Sequence, residues 1–250
     1  AGANVTFSST LNATNAGTVA ERLLINSGAG GDVLFTGSVG GTTRLGSVVI
    51  TSAHNVTESA GIKAADLTQI TGTGLTKLDG VVDTNSATGI SLTNGTITVN
   101  NVATAINQIA LKAINANGNI NLNSTIQTTQ PNGQVSLTAV HGGVTNGAAV
   151  NTINVITNSL VVQTTQGIGS STAIQTDVSH FAAHNTGTGS IRVDNLGNRL
   201  LTIDSVGGVN GITNDGASTG NITITNTGSI LVSAIQSATN APITNSTGGD

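Results

Sequence analysis

The chain has 250 residues, of which 7% are charged, 1% aromatic and 37% hydrophobic, with a net charge of −4 and no Cys, Met, Trp or Tyr. An average globular domain carries about 25% charged residues, and disorder needs low hydrophobicity with high net charge, so the chain fits neither class. It has no disulfide framework or thiolate metal site and no apolar run near the roughly 18 residues of a membrane-spanning helix, and its scattered Lys and Arg argue against a nucleic-acid partner.

A core of Ile, Val, Leu and Ala is thin. Each buried aliphatic side chain contributes roughly 1.5–3 kcal/mol, against about 1–2 kcal/mol per residue to order the backbone. Many short strands with near-complete backbone pairing meet that demand better than a single globular core.

Along the first 50 residues, strands are expected around Val5-Thr6-Phe7, Leu23-Leu24-Ile25, Val33-Leu34-Phe35 and Val48-Val49-Ile50, with turns at 28–32 and 37–42. Residues 51–83 hold Glu58, Lys63, Asp66, Lys77, Asp79 and Asp83, with strands at 67–71 and 75–78. From Asp83 to Asp177 the only charge between is Lys112, which suits a repetitive surface solvated by hydroxyls and amides. Period-2 alternation broken by Gly and Asn recurs at 89–99, 119–126, 135–140 and most clearly at 220–232.

Two passages have two readings. Val102, Ile106, Ile109 and Ala113 sit at helical spacing with Asn101 as N-cap and Gly118 as stop, yet also read as strands at 106–111 and 114. Asn94-Gly95 between alternating runs is a strong hairpin signal, which would set Leu92 opposite Ile97 and Ile90 opposite Val99.

Further strands are expected at 153–156, 160–163, 174–178, 191–193, 200–203, 212, 222–224, 230–232, 235 and 243. Anchors such as Ile203, Ile222 and Ile243 recur at about 19–21 residues, a solenoid period. The fold expected is one parallel β-solenoid over residues 1–250, with degenerate coils of about 20 residues, about 12 coils in all. The alternative is an antiparallel β-sandwich. Strands shorter than the usual five or so residues and the lack of aromatics to bridge two sheets weigh against it.

Residues 31–53, 70–82, 158–174 and 200–232, including Val206-Gly-Gly-Val-Asn-Gly-Ile212, resemble the repeat regions of large bacterial exoproteins similar to filamentous haemagglutinin. The resemblance implies a right-handed parallel β-helix, secreted or displayed at the cell surface as a structural or adhesive fibre, with a host-cell or matrix surface as partner. Pro131-Asn132-Gly133 only faintly echoes that family's secretion motif. No functional residue is carried over.

Possible chemistry concentrates in few places. Asp177, His180 and His184 have a metal-like spacing on a helix, but on a strand four residues span roughly 13 Å, so they are expected to be surface residues; His54 and His141 are isolated. Asp194 and Asp215, with Arg192 and Arg199 near, lie about one coil apart and would stack in a carbohydrate-active β-helix enzyme (a lyase or hydrolase), the alternative function. Thr96, Thr98, Thr223 and Thr225 resemble the Thr pairs of ice-binding solenoids. Asn-X-Ser/Thr sequons occur at Asn4, Asn12, Asn55, Asn94, Asn123, Asn221 and Asn245. No catalytic, cofactor-binding or metal residue and no cofactor is assigned. Strands begin near Ala1, and Ile243 is followed by a short polar run, so both ends are expected to be uncapped. They would accept another coil, from the next segment of a longer chain or head to tail from an identical subunit.

Overall fold

The computed structural model of the chain describes residues 1–17, 20–215, 220–233 and 243–245. Among them run 28 strands of two to eight residues and no α-helix. The expected strand at Ile235 lies outside the described residues.

Alternation builds each strand. In Ile90–Asn94 the side chains of Ile90, Leu92 and Asn94 are buried, while Ser91 and Thr93 face outward. Three such strands make a coil: Thr96–Val99, Ala103–Ala105 and Gln108–Ala113 are followed by Ile120–Leu122, Ile126–Thr128 and Gln134–Ala139. Each lies in parallel register on its predecessor, with Ile97 on Ile120, Ala103 on Ile126 and Ile109 on Val135. The result is a right-handed parallel β-helix, the hand that parallel crossovers adopt almost without exception.

Three ladders run the length of the solenoid. The first face links Val5, Val33, Val56, Thr76, Ile97, Ile120, Val144, Ile168, Ile191 and Ile222. The second runs from Leu11 through Ile62 and Ile126 to Asn226, and the third from Leu23 through Ile90 and Phe181 to Val232. The step from Val56 to Thr76 is 20 residues, and that from Ile191 to Ile222 is 31. Only the shortest coils match the expected period, and nine steps at about 4.8 Å each stack to about 43 Å. The 12 coils expected from a 20-residue period are too many because corner loops lengthen the coils without adding rungs.

The interior is one continuous column of Ile, Val, Leu and Ala. Phe7 stacks on Phe35 at 4.9 Å with rings 8° from parallel, and the next rung on that ladder is Glu58.

Asn94-Gly95 is a corner. Leu92 lies on Gln69 and Leu111, and Ile97 on Thr76 and Ile120, all in parallel ladders, so the hairpin and the antiparallel sandwich built on it do not form. Asn94 is buried, accepting from the N–H groups of Gly95 and Gly74 and donating to Thr76 Oγ1 and the His54 carbonyl. Gly95 is needed for close approach: a Cβ there would lie 2.5 Å from the Gly74 carbonyl oxygen. The ambiguous 102–113 passage is strand, Ala103–Ala105 and Gln108–Ala113.

One excursion interrupts the third face. His180–Asn185 pairs with Leu201–Ile203 along its first half and with Ile212–Asn214 along its second. Between these, Ser205–Val206 and Val209–Asn210 form the single antiparallel pair among the described strands. Gly207 and Gly208, with φ of 57° and 84°, make its turn, as two-residue hairpins require.

Candidate functional site

His180 and His184 project from one strand toward solvent, and each meets its own carboxylate. His180 Nδ1 lies 2.8 Å from Asp204 Oδ2, and His184 Nε2 lies 3.1 Å from Asp215 Oδ2. Asp177 belongs to the neighbouring second-face strand and pairs with Arg199 at 2.6 Å. The spacing of Asp177, His180 and His184 therefore does not bring them together. No cluster of three or more such ligands occurs among the described residues. The His180–Asp204 contact ties the root of the hairpin to the sheet, and Val206 and Val209 pack on Val161 and Ala182. That cover explains why Ala182, at an outward position, is fully buried.

Asp194 and Asp215 do not stack. In register, Asp194 lies between Gln175 and Thr225 and accepts from Thr225 Oγ1 at 2.7 Å. Asp215 follows Asn214 on a different face, beside His184. Arg192 lies under Thr223, its guanidinium reaching the Ser170 carbonyl, and Arg199 is held by Asp177. Coil lengths of 19 to 31 residues, not a constant 21, put the two carboxylates out of phase.

The Thr pairs do not form an array either. Thr96 lies on Leu75, Thr98 between Lys77 and Asn121, Thr223 on Arg192 and Thr225 on Asp194. Of the sequons, Asn94 is fully buried with both ends of its amide bonded, whereas Asn4, Asn12, Asn123 and Asn221 are exposed.

Glu58 was not singled out by the sequence. It is fully buried, and its carboxylate accepts from the backbone N–H groups of Gly61 and Gly80. Burial raises its pKa, those N–H donors oppose the shift, and the charge of Asp79 adds to it. Asp79 shifts the other way, held down first by the amide of Asn100 and also by Lys77.

The end coils differ from the coils between them. On the third face Leu201, Ile203 and Ile212 are 0–1% exposed, and their partners one coil on, Ile230, Val232 and Ile243, are 41–43% exposed. At the other end Val5, Phe7, Leu11 and Leu23 are only partly buried, whereas Val33, Phe35, Val39 and Val48, on which they lie, are buried. Inward-facing positions thus carry apolar side chains on the outermost described layers as in the middle, but among the described residues no further strand lies on their outer side.

Two features escaped the sequence reading: the hairpin and the buried Glu58. Gly207-Gly208 between Val206 and Val209 is a recognisable hairpin signal, whereas a single Glu in a polar stretch carries none. Comparison with family models, with curated proteins and with solved structures finds no match to this chain.

Proposed function

We propose that the chain is a non-catalytic, extracellular structural or adhesive fibre element of bacterial origin, secreted or held at the cell surface. Its solenoid would be continued end to end by another coil of the same geometry. The observation that carries this reading is the exposed apolar layer of Ile230, Val232 and Ile243, in register with the fully buried Leu201, Ile203 and Ile212. Unpaired strand edges are templates for further strands, and a stacked coil would remove both the edges and the exposed apolar surface from water. The covering coil is either the next segment of a longer chain or an identical subunit joined head to tail. A host-cell or matrix surface is the partner in the adhesive form of this reading, the partner that a resemblance to haemagglutinin-type repeats would imply.

Sedimentation velocity from low to high micromolar concentration tests the stacking. Growing rods are expected, with Ile230→Asp and Val232→Asp together suppressing growth. A wild-type chain that stays monomeric throughout would refute self-assembly. The carbohydrate-enzyme alternative loses its proposed centre, because Asp194 and Asp215 lie on different faces.

A further inference from the structure

The corner between the second and third faces changes height from coil to coil. It is tight at residues 106–107, 157–158 and 178–179, and it bulges at 85–89, 129–133 and 196–200. Tight corners between bulging ones leave troughs across the solenoid. The first trough, of about 440 Å³, has Asn107 on its floor and is walled by Ala87 on one side and by Gln130, Pro131 and Asn132 on the other. Gln108 and Gln134 complete it. A second, of about 230 Å³, begins on the far side of Pro131 over Thr157 and Asn158.

The first trough is lined by five carboxamides and no charge. None of the five side chains hydrogen-bonds to another described residue, although the Gln134 amide leans toward the hairpin turn at Gly207, whereas Asn94, Asn154, Asn185 and Asn195 are all consumed in the fold. The backbone beneath is fixed. Thr129 and Gln130 donate to the Ala105 and Ile106 carbonyls, Gln134 donates to that of Asn107, and Pro131 stiffens the ridge. A rigid trough thus presents free amides, each both donor and acceptor.

We propose that this trough binds a neutral oligosaccharide. Sugar hydroxyls donate and accept, so they match carboxamides one for one. A charged ligand would find no counter-ion there. An extended peptide would find no strand edge in the wall, which is a corner rather than a strand, where the Gln130 N–H is engaged with Ile106 and Pro131 has no N–H to offer. The site binds without cleaving, because no carboxylate lines it. With no aromatic ring to stack on a sugar face, the affinity is weak, in the millimolar range. The inference is independent of end-to-end stacking, because the trough lies on the side of the solenoid and binding can be read in the Ile230→Asp, Val232→Asp background that suppresses growth.

The experiment is an amide chemical-shift titration of the whole chain with neutral hexamers of glucose, mannose, galactose and N-acetylglucosamine, with hexagalacturonate and a Gly-Ser hexapeptide as controls. At least one neutral hexamer should shift residues 106–108 and 129–134 saturably. Q108A with N132A, both at exposed positions, should weaken that binding about tenfold, the loss expected from removing two hydrogen-bonding groups, and leave the spectrum elsewhere unchanged. The proposal is overturned if no neutral hexamer moves those amides, if either control binds as tightly, or if the double variant binds like the wild type.

Discussion

Asn185 donates from Nδ2 to Oδ1 of Asn214, 2.8 Å away and one coil further along the third face. The same amide oxygen of Asn185 accepts from Thr164 Oγ1 and from the Gly167 N–H, so a polar column threads an otherwise apolar interior. On the second face Asn195 repeats the device, bonding Thr176 on one side and Asn226 on the other. Each link runs along the solenoid axis and therefore locks the register of one coil on the next.

Asn185→Ala leaves the Gly167 N–H and the Thr164 hydroxyl without their buried acceptor, which costs about 1–3 kcal/mol for each group left unsatisfied. Urea unfolding should show a loss of at least that size. Asn123→Ala removes an exposed amide link to Asn100 and should change stability by no more than about 0.5 kcal/mol. Equal losses in the two variants would mean that the buried column is not a stabilising feature.

The core is thin, so single methyl groups matter. Leu92 lies in the column between Gln69 and Leu111, and Leu92→Ala should cost about 2–5 kcal/mol. Its outward neighbour Ser91 should tolerate Ala within about 0.5 kcal/mol. Thermal unfolding of the pair checks the inward–outward assignment, and reversed effects would place the strand one residue out of register.

Glu58 gives a pH dependence of definite sign. Burial raises its folded pKa above the ordinary 4.5, so its contribution to stability is fully present below that value and is lost as pH rises through the folded pKa. Asp79, with its pKa lowered from 3.8, acts in the opposite sense and at lower pH, as its carboxylate protonates. The melting temperature of the wild type relative to E58Q should therefore be greatest near about pH 4 and should shrink toward neutrality. A difference that grows with rising pH would contradict the assignment.

The hairpin depends on its turn. Gly207 has a φ of 57°, and a Cβ there would lie 3.1 Å from Val161 Cγ1. Gly207→Ala should cost about 1–2 kcal/mol from the left-handed backbone. Hydrogen exchange should quicken at residues 204–211, while the ladder residues 180–185 keep their protection. Loss of protection along both would mean that the hairpin and the coil unfold together.

Much of the architecture was legible in the residues. Alternation at 90–94 and 120–122, the absence of large side chains and the Gly/Asn punctuation all demand short strands buried on one face, and the strands lie at or near those positions. That demand is local, because a side chain's inward or outward direction depends only on its parity along the strand. Which strand lies on which is a different kind of information. Asn94-Gly95 carries the local signature of a hairpin, and only the contacts of Asn94 with Thr76 and His54, contributed by neighbouring coils, make it a corner. The stacking of Asp194 over Asp215 that the alternative enzyme reading needed does not form for the same reason: loop lengths at the corners, from two residues at 106–107 to eight at 147–154, set the phase between coils, and no local pattern encodes their sum. The trough of free amides around Pro131 likewise exists only because a bulging corner rises beside a tight one, a relation between residues more than 20 apart that packing alone decides.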